Sequence, residues 1–155
     1  NVFDFEQSLN YSLPDGFHFV ESKKLSVEKI AECCWKGFDH EKEEGPWDGD
    51  AEHGYYTLMA PHMNPEDSIV IENDEGEYVC YAGMWWTPEN HLAYMEPLCT
   101  IPKYRKKGLA AAALSEHYRR LKPLGATHMT GGGNTFYEKI GFKPLIHWTF
   151  WEKAD

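Results

Sequence analysis

Arg105-Lys106-Lys107-Gly108-Leu109-Ala110 is the stretch that decides the fold, together with the apolar run Leu92–Ile101 that precedes it. The apolar run predicts a strand, which Pro102 closes, and the apolar periodicity after Gly108 predicts a helix that ends at Leu121. A strand that leads through a glycine turn into a helix directs several unpaired backbone N–H groups at one point. With the helix dipole, that point becomes a site for an anion such as phosphate.

The side chains of this turn are compatible with the anion site but do not prove it. Gly108 has no Cβ, so the backbone can approach a ligand closely. Arg105, Lys106 and Lys107 add cationic hydrogen-bond donors. A solvated basic turn that only caps a helix would contain the same residue types, so the stretch by itself leaves both interpretations open.

A second stretch, Asn134-Thr135-Phe136-Tyr137-Glu138-Lys139-Ile140-Gly141-Phe142, lies downstream. The pattern Arg-x-x-Gly-x-Ala followed by Asn…Tyr-Glu-Lys-x-Gly-Phe resembles the GNAT superfamily of acyl-CoA-dependent N-acyltransferases. The two motifs occur in the family's order, and the resemblance extends over about residues 68–142. It implies an α/β fold with a mixed, largely antiparallel central sheet and helices on both faces.

The resemblance also implies a place for acetyl-CoA. In the family, the loop backbone binds the pyrophosphate, a loop lysine can meet the ribose phosphate, and the pantetheine arm pairs with the preceding strand. Asn134 matches a family position that contacts the cofactor, although it could equally cap a helix. The cofactor-binding residues implied in this way are Leu98, Cys99, Thr100, Arg105, Lys106, Lys107, Gly108, Leu109, Ala110 and Asn134.

Two residues are candidates for proton transfer. Tyr137 matches the family's tyrosine beside the thioester sulfur, and a phenol with a pKa of about 10 can donate a proton to a leaving thiolate. Glu96 is the candidate base, because it shares strand parity with Leu98 and Thr100 if no bulge intervenes. We expect Glu96 to be partly buried, which would raise its pKa; an ion-paired or capping role is the alternative.

Pro97 follows the candidate base and has no N–H group, so it should interrupt the pairing of its strand and favour a splayed slot; an edge strand with a bulge is the alternative. Weaker candidates for the base are Glu89, Asp39 and His128. We interpret Cys99 as part of the slot lining rather than a nucleophile, because no histidine is paired with it by spacing. The expected mechanism is therefore direct transfer.

The turns and periodicity predict one domain over residues 1–155, with elements in the order strand, helices, meander, helix, strand, helix, strand. Because the chain begins at Asn1, it could also be one domain of a longer protein. The expected elements are a strand at 17–21, a helix capped by Ser26, an acidic loop at 39–52, a short helix at 55–63, a meander at 68–101, a strand at 127–130, a short helix with a Thr135–Glu138 capping box, and a final strand at 143–151.

The chain has 155 residues, a net charge of −10 and 42% hydrophobic residues. The acidic balance argues against a nucleic-acid partner and fits a cationic acceptor. No apolar run predicts a membrane span, and the four cysteines suggest reduced thiols in a cytoplasmic protein. The scattered histidines predict no metal site.

The sequence therefore predicts an N-acetyltransferase that moves an acetyl group from acetyl-CoA to a primary amine. The alternative is a non-catalytic CoA-binding or scaffold domain of a larger protein. A small-molecule amine is the expected acceptor, and Trp35, Tyr55 and Trp85 are candidates for its pocket. Oligomeric state is left open.

Overall fold

The computed structural model of the chain describes residues 1–52, 63–145, 147, 149 and 151. In this part of the chain, six strands form one sheet in the order β1-β6-β5-β4-β3-β2, in which only the β5–β6 pair is parallel. The strands are β1 (Val2–Asp4), β2 (Phe17–Phe19), β3 (Ile69–Asn73), β4 (Tyr78–Thr87), β5 (Leu92–Thr100) and β6 (His128–Thr130). The α-helices are α1 (Val27–Gly37), α2 (Leu109–Leu121) and α3 (Thr135–Lys139).

The antiparallel meander β3-β4-β5 forms the centre of the sheet, as the sequence predicts. The turn between β3 and β4 is closed by the N–H of Gly76, which donates to the carbonyl of Asn73 at 2.9 Å. Gly76 has a φ of 76°, a left-handed conformation that glycine adopts without strain. The first seven residues of β4 are buried, because this strand has a neighbour on each edge and helices pack on the sheet.

Helices cover both faces of the sheet. Helix α1 begins at Ser26, whose hydroxyl accepts a hydrogen bond from the N–H of Lys29 at 3.3 Å, and it packs on β4 and β5. Its buried residues are Ile30, Ala31, Cys33, Cys34 and Gly37. Helix α2 lies on the sheet through a row of alanines, which let the helix backbone approach the strands closely. No helix of the described residues is long and apolar enough to cross a membrane.

Strand β1 is absent from the sequence-based prediction. Val2–Asp4 pairs antiparallel with β6, and Phe3, which is 1% exposed, packs on the rings of Tyr118 and Phe142. Three residues are too few to show a strand's alternation, so this pairing is determined by tertiary contacts. The strand expected at 17–21 is also shorter, since β2 ends at Phe19.

Two further predictions at the C-terminal end are corrected. The N-cap of α3 is Asn134, not Thr135, because the Asn134 Oδ1 accepts from the N–H of Phe136 at 3.0 Å. In the expected strand at 143–151, Lys143 makes an isolated bridge with Val2, and no other described residue of that range is in a strand. The helix expected at 55–63 lies outside the described residues, apart from Met63.

Candidate active site

The strands β5 and β6 diverge and open a slot between them. They pair only at Leu92 with His128 and at Ala93 with Met129, whereas β4 stays paired with β5 up to Thr100. The N–H of Ile101 donates to the carbonyl of Val79 on the β4 side, and hydrogen-bonding directions alternate along a strand. Leu98 and Thr100 therefore direct their backbone groups into the slot, where an extended ligand can pair with Leu98 and with the N–H of Thr100.

A bulge lies at the head of this slot. Ala82 pairs with Leu98 and Met84 with Met95, so that Gly83 alone is opposite Glu96 and Pro97. A Cβ on Gly83 would overlap the carbonyl oxygen of Glu96 and would lie 2.9 Å from the Cδ of Pro97. Only glycine fits here. The interruption expected from Pro97 is confirmed.

The same bulge corrects two expectations about Glu96. Because Glu96 and Pro97 both lie opposite Gly83, the alternation of side chains along β5 is interrupted here, and Glu96 is not on the same face of the sheet as Leu98 and Thr100. Its side chain is also exposed rather than partly buried. It therefore stands at the solvent-facing head of the slot.

The loop before α2 has the geometry of an anion site. Lys106 and Gly108 have φ values of 63° and 85°, and Gly108 is the N-cap of the helix. Within the described chain, the N–H groups of residues 106–111 donate to no carbonyl or side chain, whereas that of Ala112 donates to the Gly108 carbonyl. A Cβ at Gly108 would meet no atom within 4 Å. The loop thus offers exposed donors and open space to a phosphate group.

The side chain of Arg105 has a different role from the one expected. Its Nε donates to the Thr100 carbonyl at 3.0 Å, and its Nη2 donates to the Gly37 carbonyl and to the Asp39 carboxylate, each at 2.8 Å. The guanidinium therefore ties the loop to the end of α1 instead of pointing at the anion site. The hydrogen bonds from Lys42 and Arg105 lower the pKa of Asp39, which makes this carboxylate a poor base.

The Lys107 ammonium lies over two aromatic rings beside the loop. It lies 5.6 Å from the ring centre of Phe17 and 5.4 Å from that of Tyr104. These contacts hold the positive charge beside the loop. Lys106 is exposed and contributes its backbone to the turn.

Tyr137 lies across the slot from Glu96. A Cβ on Gly131 would lie 2.5 Å from the Tyr137 ring, and one on Gly132 would lie 2.7 Å from it, so both glycines allow the ring to pack on the chain. Burial raises the pKa of the phenol, a hydrogen bond with the Gly132 backbone opposes this, and the charge of Glu96 raises it further. The phenol is therefore protonated at neutral pH, within electrostatic reach of Glu96.

The model of the family described as the acetyltransferase (GNAT) domain matches residues 64–144 of this chain, more than half of its 155 residues. The chain belongs to the GNAT acetyltransferase family. This family comprises acyl-CoA-dependent enzymes, and the matched segment contains the slot, the loop before α2 and Tyr137.

Solved structures share the fold of this GNAT domain. A GCN5-related N-acetyltransferase from Sphaerobacter thermophilus is 16% identical with a TM-score of 0.69; the alignment covers 90% of this chain but only 45% of that one. A GNAT family acetyltransferase from Brucella melitensis, solved with acetyl-CoA, is 16% identical over 90% of this chain and 93% of its own, with a TM-score of 0.62. An aminoglycoside 6'-N-acetyltransferase from Acinetobacter baumannii is 15% identical over 90% and 99%, with a TM-score of 0.58. A search of curated proteins finds no match.

The remaining predicted site residues of the GNAT domain lie in different places. Asn134 uses its Oδ1 to cap α3 and remains exposed. Cys99 faces α1, with its Sγ 4.0 Å from that of Cys33; this hydrogen bond and burial raise its pKa, so the thiol is unreactive. Trp85 lies on β4 with its ring 6.0 Å from that of Tyr94. Trp35 is on α1, outside the slot, and Tyr55 lies outside the described residues.

Several residues that shape the slot were not identified from the sequence. Gly83 permits the bulge, and Gly131 and Gly132 receive the Tyr137 ring. Asp39, which the sequence suggested only as a weaker candidate base, instead anchors Arg105. The glycine run at 131–133 is the one signal of these contacts that is visible in the sequence. Among the described residues, no group of three or more His, Cys, Asp or Glu side chains could hold a metal ion.

Proposed function

We propose that this GNAT domain transfers an acetyl group from acetyl-CoA to a primary amine by direct attack of the amine. The observation that carries the proposal is the slot between β5 and β6, which leads to the free N–H groups of residues 106–111. Tyr137 and Glu96 lie at the other end of this slot. Family membership supports acetyl transfer, and the two side chains support an acceptor that must lose a proton.

The chain's own groups fit the cofactor. The backbone N–H groups at 106–111 would hold the pyrophosphate, which carries negative charge and suits the N-terminus of α2. The backbone of Leu98 and the N–H of Thr100 would pair with the amides of the pantetheine arm, as an added strand does at a sheet edge. The Lys107 ammonium would face the ribose phosphate.

Acetyl-CoA supplies the acetyl group as an activated thioester. Glu96 would accept the proton that the amine loses, directly or through one water molecule, as its nitrogen bonds to the carbonyl carbon. A strand N–H near Leu98 would donate to the carbonyl oxygen as it gains charge. The carbon–sulfur bond then breaks, and Tyr137 would donate its proton to the sulfur, so that free CoA leaves as a thiol.

Measurements of binding and of turnover test the proposed reaction. Calorimetric titration with acetyl-CoA measures binding, and a thiol reagent measures CoA release in the presence of primary amines. Tyr137→Phe should keep acetyl-CoA binding and lower kcat by about 10²–10⁴-fold, the usual contribution of one acid–base group. Tyr11→Phe is the matched control, since the Tyr11 side chain is exposed and its backbone N–H bonds to Ser115 of α2 rather than to a residue of the slot.

Each outcome decides between the hypotheses. No binding of acetyl-CoA by the folded protein would overturn the cofactor site. If acetyl-CoA binds but none of the primary amines tested causes release of CoA, a non-catalytic CoA-binding domain is favoured. Equal kcat values for Tyr137→Phe and the unaltered protein would remove Tyr137 from the mechanism.

A further inference from the structure

A pocket of about 400 Å³ lies between α1 and the loop that follows it. We call it the α1 pocket; its walls are the rings of Trp35, Phe38 and Trp47, and its carboxylates are Glu44, Asp48 and Asp50. This pocket is separate from the slot between β5 and β6. Its combination of aromatic walls and acidic groups gives it a distinct chemical character.

The two indole rings are held in place by hydrogen bonds. Trp35 Nε1 donates to the Gly45 carbonyl at 3.0 Å, and Trp47 Nε1 donates to the Asp50 carbonyl at 3.3 Å. Trp35 also stacks on the ring of His40, with a centroid distance of 5.1 Å. Because the N–H groups of both indoles are already bonded, Trp47 and the face of Trp35 that does not stack on His40 offer a ligand π surfaces, which attract cations and apolar carbon chains.

The carboxylates of the α1 pocket have no cationic side chain of Lys or Arg beside them in the described part of the chain. Glu44 bonds to His40 Nδ1 at 2.8 Å. One oxygen each of Asp48 and Asp50 accepts a backbone N–H at 2.9 Å, from Asp50 and Glu52 respectively. Negative charge beside π faces is complementary to an organic cation rather than to an anion or a neutral ligand.

The α1 pocket lies at the point where α1 meets the slot's own strand. Phe38 follows Gly37, and a Cβ on Gly37 would lie 2.8 Å from the Cβ of Cys99 on β5. Arg105 bonds to the same Gly37 carbonyl and to Thr100. The end of α1 beside the pocket therefore lies against β5, the strand that leads to the reactive centre.

We propose that the α1 pocket binds a second, protonated nitrogen of the acceptor, so that the acceptor is a diamine. One nitrogen enters the slot as the neutral nucleophile, and the other stays in the α1 pocket as an ammonium group. This inference rests on the proposed function, since it names the acceptor class of that reaction. A monoamine of the same length reaches the slot but leaves the acidic groups without a partner.

The test compares α,ω-diamines of four to eight carbons with monoamines of equal chain length. CoA release should give kcat/KM values at least about tenfold higher for one or more diamines, because only these place a cation against carboxylates and indoles. Calorimetric titration of the same diamines, without acetyl-CoA, gives a second readout that does not need turnover.

Substitutions in the α1 pocket test whether this pocket is responsible for the binding of diamines. Asp48→Asn and Asp50→Asn keep the oxygen that accepts the backbone N–H but remove the charge, and each should raise the diamine KM and Kd about three- to tenfold. Trp47→Leu should do the same, and Trp47→Phe should restore part of the affinity because it keeps an aromatic face. Glu43→Gln is the control, since Glu43 is exposed in the same loop and does not line the pocket.

Equal kcat/KM values for diamines and monoamines would overturn the proposal. So would unchanged diamine Kd values when Asp48 and Asp50 are both replaced by asparagine. If acetyl-CoA binds but no amine is acetylated, the proposed function fails; the calorimetric Kd values of the diamines still decide whether the α1 pocket binds a dication.

Discussion

His117 makes the stability of this protein depend on pH in a measurable way. Its side chain lies on α2 with no exposed surface, and its Nε2 is 3.1 Å from the Ala82 carbonyl oxygen, to which it donates as the neutral ring. Its Nδ1 has no partner among the described residues. Burial lowers the pKa of His117 to about 3, because the ring would have to become charged away from water.

The sign and size of the effect follow from linkage. The unfolded chain binds a proton at this histidine near pH 6.5, whereas the folded chain does not until about pH 3. Stability is therefore complete above pH 6.5 and is lost as the pH falls, by about 1.4 kcal/mol for each pH unit. At pH 5 the loss is about 2 kcal/mol, a large part of the roughly 5–15 kcal/mol that holds a typical domain folded.

Urea unfolding at pH 7.5, 6.5, 5.75 and 5 measures this loss. The range stops at pH 5 because the pKa of Asp39 and that of Glu116 are lowered from 3.8 and 4.5, so these carboxylates titrate below it. His117→Gln removes the titrating ring and keeps an N–H that can reach the Ala82 carbonyl, so its stability should be almost flat over this range. His128→Gln, at an exposed position of β6, should keep the full slope.

A wild-type protein that is as stable at pH 5 as at pH 7.5 would refute the reasoning about the buried ring. The same slope in His117→Gln as in the unaltered protein would assign the pH dependence to other groups. If His117→Gln does not fold, the slope of the wild-type protein against that of His128→Gln still tests the size of the effect.

Three further changes probe the site. Gly132→Ala should destabilise the fold by about 1–3 kcal/mol and slow acetyl transfer, because the new Cβ would lie 2.7 Å from the Tyr137 ring. Thermal unfolding measures the loss of stability. Gly133→Ala is the control and should show no such loss, because a Cβ there meets nothing within 4 Å. Gly108→Val should abolish acetyl-CoA binding, since the side chain would fill the open space at a φ of 85°, and calorimetry that shows retained affinity would contradict the placement of the loop. Glu96→Gln should lower kcat and alter its pH profile without weakening acetyl-CoA binding; an unchanged profile would point to another base.

The sequence alone determined the central part of the fold. Apolar runs bounded by turn residues predicted the meander at 68–101, which contains β3, β4 and β5, and Pro102 and Gly108 predicted where β5 ends and α2 begins. These signals are local, because a turn or a helix start depends on the conformational preferences of a few adjacent residues. The loop before α2 could be interpreted as an anion site for the same reason.

The tertiary structure decided what depends on residues far apart in the chain. The three residues of β1 are a strand only because β6 is beside them, and the bulge at Gly83 exists only because Glu96 and Pro97 lie opposite. The guanidinium of Arg105 was expected to serve the anion site, yet the carbonyl of Gly37 and the carboxylate of Asp39 bind it, more than sixty positions away in sequence.

The α1 pocket shows the same division. The sequence indicated only a helix capped by Ser26 and an acidic loop at 39–52. Only the fold of the loop back along α1 places Trp47 opposite Trp35 with the carboxylates at their side. A pattern along the chain reports which residues are apolar or charged, but long-range packing sets which of them share a cavity.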